Sequence, residues 1–120
     1  QHQQRPALVN RYEERPAVLA VDCAPYCGVS GHHLFPILVP RAEQRDPLLT
    51  GLGERGIGCA VNYRAVHTLR YYRERFGHAP EAYPNAAAFG DRTVSLPLWP
   101  AMPHDDVDTV VAAVKEMVSA

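Results

Sequence analysis

Lysine is almost missing from this chain: Lys115 is the single example among 12 basic residues, and the rest are arginine. A Schiff base to a protein side chain needs a desolvated, correctly placed amine. Lys115 lies beside an apolar stripe of valines, where a lysine lays its stem along the stripe and keeps its ammonium in water. Covalent lysine chemistry is therefore not expected of these residues by themselves. Cysteine is scarce too, and its count is odd: Cys23, Cys27 and Cys59. With no signal peptide ahead of them, a disulfide framework is not expected, and a reducing cytoplasm is the expected setting. Net charge is nearly absent, at −1 with histidine neutral. That leaves no field to steer DNA, RNA or anionic lipid. No apolar run approaches the roughly 18 residues that a membrane span requires.

What remains is ordinary for a folded domain. The 120 residues are 47% hydrophobic and 21% charged, within the size range of one domain and outside the disordered class. Methionine does not open the chain, and residues 1–14 already carry a helical pattern, with Leu8 and Tyr12 four apart among Arg5, Arg11, Glu13 and Glu14. This points to a fragment or processed product, with a trimmed, independent small domain as the alternative.

Pro16 closes that helix, and a Pro/Gly/Cys connector runs over 17–31. Residues 33–39 form an apolar run that reads as a strand, with Pro36 arguing for an edge or a bulge. Leu48, Leu49 and Leu52 mark a helix over 42–55, and Gly56 stands at its C-cap. Residues 57–63 alternate and read as a second strand. Helical spacing of Leu69, Tyr72 and Phe76 predicts a helix over 66–76, in which Tyr71 and Tyr72 are packing residues. After a turn at 77–84 come a short helix through 86–89 and a third strand over 93–98. Val107, Val110, Val111, Val114 and Val118 line one face of a last helix, with Asp105 and Asp106 at its positive end. Such an order gives an α/β or α+β domain with a small sheet covered by helices.

Three clusters invite a chemical reading. Gly51-Leu52-Gly53-Glu54-Arg55-Gly56 fits the dinucleotide fingerprint, but it ends a helix instead of opening one, so it reads as a helix stop. Cys23, Cys27, His32 and His33 have zinc-like spacing, but adjacent histidines on a strand face opposite sides, and buried free cysteines are the simpler expectation. Asn62, Tyr63, Arg64 and His67 gather where a strand hands over to a helix. Such loops present binding groups, and a solvated loop with a core tyrosine is the equal alternative. Arg92, just before the third strand, can hold a carboxylate in its planar fork or form a surface ion pair.

The segments His33-Leu34-Phe35-Pro36-Ile37, Gly56-Ile57-Gly58, Asn62-Tyr63 followed by His67, and Val94-Ser95-Leu96-Pro97-Leu98-Trp99-Pro100-Ala101-Met102 followed by Asp106-Val107 resemble the DegT/StrS family of sugar aminotransferases in order and spacing. The resemblance covers nearly the whole chain. It implies an α/β fold of the α+β kind: a small, mostly antiparallel sheet covered by helices, as in the C-terminal domain of aspartate-aminotransferase-like enzymes that use pyridoxal phosphate. It also implies that residues 1–120 are that C-terminal small domain. The cofactor, its Schiff-base lysine and the bulk of the active site would then belong to a larger N-terminal domain in a homodimer. The family moves an amino group from an amino acid, usually glutamate or glutamine, onto a keto sugar, typically nucleotide-linked, or onto a keto-cyclitol.

Residue by residue, the resemblance implies that Tyr63 approaches the sugar and that His67 matches the histidine further along that loop. Asn62 replaces the usual histidine; its amide can hydrogen-bond but cannot titrate. Arg64 and Ala65 replace a proline-containing pair, which bears on substrate preference, and Arg92 is a candidate for the carboxylate of the amino donor. His33 is expected to support the site from behind. Pro103 replaces a capping threonine and is acceptable at a first helical position. Two functions follow. One is a piece of an aminotransferase that contributes substrate-binding residues; the other is a non-catalytic binding or assembly domain of the same shape.

Overall fold

The computed structural model describes residues 4–15 and 29–119. Five helices and two strands follow one another among these residues. Helix α1 is Gln4–Glu13, strand β1 is Phe35–Leu38, and α2 is Arg45–Glu54, entered through a 3-10 turn at Ala42–Gln44. Helix α3 is Arg70–Phe76, α4 is Pro84–Arg92, β2 is Thr93–Leu96 and α5 is His104–Val118.

β1 and β2 pair antiparallel, Phe35 opposite Leu96 and Ile37 opposite Val94. The expected strand over 57–63 does not form. It contributes one bridge, in which Ser95 N–H donates to Ala60 O at 2.8 Å and Ala60 N–H to Ser95 O at 3.3 Å. Gly58 and the turn that starts at Asn62 leave too few residues to continue a ladder. That bridge also explains Pro36. Ser95 spends its backbone groups on Ala60, so Pro36 opposite it occupies a non-hydrogen-bonded position, where a missing N–H costs nothing.

Phe35, Ile37, Val94 and Leu96 share one sheet face and are buried under Leu8, Val9 and Tyr12 of α1, Leu48 and Leu52 of α2, and the valine face of α5. Tyr12 joins the layers: its ring stacks on Phe35 at 4.7 Å and its hydroxyl donates to Pro97 O at 2.7 Å. Burial of that phenol pushes its pKa well above the usual value. α2 stops as its glycines require. Ile57 N–H reaches back to Leu52 O at 2.9 Å, Gly56 N–H to Gly53 O at 3.0 Å, and Gly56 takes the left-handed φ of 76°. The glycine run therefore closes a helix and offers no helix N-terminus to a pyrophosphate.

Other boundaries differ from expectation for local reasons. The helix expected over 66–76 is interrupted at Leu69, whose ψ of 140° is extended; a 3-10 turn at Val66–Thr68 precedes it and α3 follows. Tyr71 and Tyr72 do not pack into the core: they are 66% and 40% exposed. α4 is longer than expected and runs directly into β2, with Thr93 already extended as its cap. Pro103 is the extended N-cap of α5 and not its first helical residue. Cys23, Cys27 and the connector lie outside the described residues. Among those described, no group of three or more metal-ligating side chains occurs, and no helix is long and apolar enough to cross a membrane. Cys59 is a free, half-buried thiol whose pKa burial raises to about 11.

Candidate functional site

The polar corner at 62–67 is built from three supports. The first is the Ala60–Ser95 bridge, from which the chain leaves the sheet through Val61 and a cis Asn62–Tyr63 peptide. The second is Gly90 in the last turn of α4. A Cβ on Gly90 would stand 2.5 Å from the Ala65 nitrogen and 3.3 Å from the Arg64 Cα, so a side chain there would collide with the loop backbone. The same residue's carbonyl accepts Arg45 Nη1–H at 2.7 Å. Arg45 is itself buried, and this bond ties α2 to the last turn of α4; its Nε–H also donates to Asp46 of the same helix at 3.0 Å.

The third support is the 66–68 turn. Thr68 Oγ1–H donates to Ala65 O at 2.7 Å, and Thr68 and Leu69 N–H close the turn at 3.0 and 3.1 Å. Next to them His67 is 9% exposed, with Nε2 at 3.0 Å from Pro80 O and its ring edge-on to Tyr83 at 5.0 Å. A carbonyl only accepts, so the Nε2 nitrogen carries the proton, which leaves Nδ1 as the ring's other polar atom.

Held in this way, the corner presents Tyr63 at 69% exposure, with Arg64 exposed beside it and Asn62 half-buried. Neither Tyr63 nor Arg64 has a hydrogen-bond or ion-pair partner among the described residues. Of the residues singled out in the sequence, Asn62, Tyr63, Arg64 and His67 do come together on one rigid turn. Arg92 stands two residues beyond Gly90 on α4, where its Nε–H donates to Val39 O at 2.7 Å and its own carbonyl accepts Val39 N–H at 3.0 Å. It therefore anchors the end of β1. His33 is exposed, two residues ahead of β1 and next to His32, which adopts a φ of 43°. Gly90, Pro80 and Tyr83 were not singled out in the sequence. Gly90 stands just past the helix expected over 86–89, where a glycine reads as an ordinary helix stop, so no local signal announces its contact with the 64–65 backbone.

Lys115, the sole lysine, is exposed on α5, and no hydrogen bond or ion pair positions its ammonium among the described residues.

An antiparallel pair backed by helices, with a supported polar turn at its margin, makes a small α+β domain, and solved aminotransferase structures share that fold. The structure described as a sugar aminotransferase, Spr1654 from Streptococcus pneumoniae, superposes in its PMP form with a TM-score of 0.87 at 25% identity, over 98% of this chain and 30% of that one. Helicobacter pylori PseC, an aminotransferase of pseudoaminic acid biosynthesis, shares the fold with a TM-score of 0.83 at 23% identity, over 98% of this chain and 33% of its own. The spore coat polysaccharide biosynthesis protein SpsC of Bacillus subtilis (strain 168) is 32% identical over 121 residues, 95% of this chain and 31% of SpsC. The model of the DegT/DnrJ/EryC1/StrS aminotransferase family matches residues 3–115, and the chain belongs to that family. It spans about a third of the length of these relatives.

Proposed function

We propose that residues 1–120 are the C-terminal small domain of a pyridoxal-phosphate-dependent aminotransferase that transfers an amino group from an amino acid to a keto sugar or keto-cyclitol, and that the 62–67 corner meets the acceptor. The observation that carries this reading is Tyr63: a large, exposed, polar aromatic on a turn whose backbone is held from beneath by Gly90. An exposed group on a rigid support is suited to positioning, because little conformational entropy is lost when a ligand arrives.

In this reading the Tyr63 hydroxyl and the Asn62 amide hydrogen-bond sugar hydroxyls, and the Arg64 guanidinium meets an anionic substituent such as the phosphate of a nucleotide-linked sugar. His67 keeps its proton on Nε2 against Pro80 and holds the turn's shape, so its part is positioning. Arg92, whose Nε–H is held by Val39 O, is the candidate in this reading for the donor carboxylate, and His33 would support the strand entry from outside. Pyridoxal phosphate, held by a larger N-terminal domain, supplies the electron sink for the amino transfer. A cytoplasmic homodimer belongs to the same proposal.

Tyr63→Phe in the full-length enzyme tests it. Loss of one hydroxyl-to-sugar hydrogen bond is expected to lower kcat/KM for the keto sugar about tenfold, or about 1.4 kcal/mol, with cofactor absorbance and affinity unchanged. Unaltered kinetics with every keto sugar or cyclitol that the enzyme accepts would remove Tyr63 from the acceptor site.

A further inference from the structure

Helix α3 is anomalous. All seven of its residues are exposed, although the sequence gives it an apolar stripe. Tyr72 and Phe76 lie along one side at 40% and 59% exposure, and Leu69, the extended residue that caps the helix, is 38% exposed. A helix this short is marginal in water on its own propensity; beyond its Gly77 cap and the Arg70–Glu74 pair at 2.9 Å, covering that stripe would stabilise it most. Within the domain it rests on the small 66–68 turn. The stripe continues as an aromatic row. Tyr72 stacks with Phe76 at 6.2 Å, Phe76 with His78 at 6.4 Å, and His78 meets Tyr83 edge-on at 5.4 Å, next to His67 of the candidate site. Exposed aromatic rows of this kind mark contact surfaces.

Charge narrows the choice of occupant. Between positions 62 and 78 stand Arg64, Arg70, Arg73 and Arg75 against the single acid Glu74, in a chain whose net charge is −1. A symmetric pair of copies joined α3 to α3 would face these arginines with themselves, which is unfavourable. The relatives that match 98% of this chain carry more than twice as many further residues, since the chain covers only 30% of theirs.

We infer that the Leu69–Tyr72–Phe76 stripe, extended by His78 and Tyr83, docks this domain onto the remainder of the aminotransferase polypeptide, on an apolar patch rimmed by carboxylates. This presupposes the small-domain reading given above. Docking there would fix the 62–67 corner relative to the cofactor, because the aromatic row ends on His67. It also accounts for why Tyr71 and Tyr72 are exposed although their pattern is that of a packed helix.

Amide hydrogen exchange on the full-length enzyme tests the inference without any substrate. The α3 amides that bond within the helix, such as that of Arg73, are expected to exchange at least about 100-fold more slowly than in an open chain. In the Tyr72→Ser, Phe76→Ser double variant this protection should fall at least tenfold, while the amides of α5 stay unchanged. A photoreactive phenylalanine analogue at position 76 is expected to crosslink to the remainder of the polypeptide. Open-chain exchange of α3 beside a protected α5 in the wild-type enzyme would overturn the inference, as would a crosslink to the corresponding 120 residues of another copy. If the double variant fails to fold, the wild-type exchange and the crosslink still decide. An enzyme that aminates keto sugars with an unprotected α3 refutes the docking alone; a protected α3 in an enzyme that accepts no keto sugar refutes only the substrate reading.

Discussion

At the scale of single residues, the candidate site depends on an atom that is missing. Gly90 has no Cβ, and the space where one would sit is occupied by the Ala65 nitrogen. Gly90→Ala therefore needs the 64–65 backbone to retreat by about an ångström, at a cost of about 1–3 kcal/mol. The expected outcome is a lower melting temperature, together with a larger loss of kcat/KM for the acceptor than for the amino donor, because Tyr63 rides on the displaced segment. Equal stability and equal kinetics in the alanine variant would show that the loop is not held from this side. This contact also marks a limit of legibility. The polar residues at 62–67 stand out in sequence because their chemistry is local. The Gly90 contact and the His67–Pro80 bond join positions 25 and 13 apart by number, and no local pattern encodes such distances.

Among the elements, the carboxylate of Asp108 is the principal ionic tie between α1 and α5. Arg11 donates Nε–H to Oδ1 at 3.1 Å and Nη2–H to Oδ2 at 2.6 Å, and Arg15 donates to Oδ1 at 2.8 Å through its own Nη2. The hydrogen bond from Arg11 is the largest of the causes that hold the Asp108 carboxyl below the ordinary carboxylate range. Glu116 is lowered in the same way by Arg55 at 2.9 Å. For an acid whose folded pKa is depressed, the unfolded chain takes up the proton first. Its stabilising contribution is thus complete above the unfolded value, about 3.9 for aspartate, and is lost as pH falls through the folded value. Asp108→Asn should flatten the acid limb of stability below about pH 4, read as urea midpoints against pH. An acid limb as steep as that of the parent would place the responsible groups elsewhere. The helices flanking this tie were legible from valine and leucine spacing, and the α2 stop from its glycines. The helix expected over 66–76 was not wholly legible, because apolar periodicity cannot report that one residue, Leu69, turns extended.

For the whole molecule, the question is what makes two four-residue strands a stable sheet. A two-stranded ribbon is marginal in water, so the pair persists here through the helices packed on the Phe35–Ile37 face, with β2 buried on its other face too and bridged to Ala60. α1 supplies the lid at one end. Leu8, Val9 and Tyr12 are 1%, 4% and 0% exposed, and Tyr12 contacts both β1, through Phe35, and the chain beyond β2, through Pro97. Tyr12→Phe keeps the stacked ring and leaves the Pro97 carbonyl without its donor, at a cost of about 1–2 kcal/mol. Tyr12→Ala also empties the space between α1 and β1, at about 3–5 kcal/mol, the range for deleting a buried aromatic side chain. That second figure is a large part of the 5–15 kcal/mol typical of a whole domain. The expected series in thermal unfolding is therefore a lowered midpoint for Tyr12→Phe, and for Tyr12→Ala a broad transition or none, with the loss of near-ultraviolet ellipticity that reports packed aromatics. A chain that begins at residue 29, without α1, should behave like Tyr12→Ala or worse, since it uncovers Phe35 and the valines of α5 together. Cooperative unfolding of that shortened chain at the parent's midpoint would mean that the sheet is held from its other side, and that α1 is an appendage and not a wall of the core.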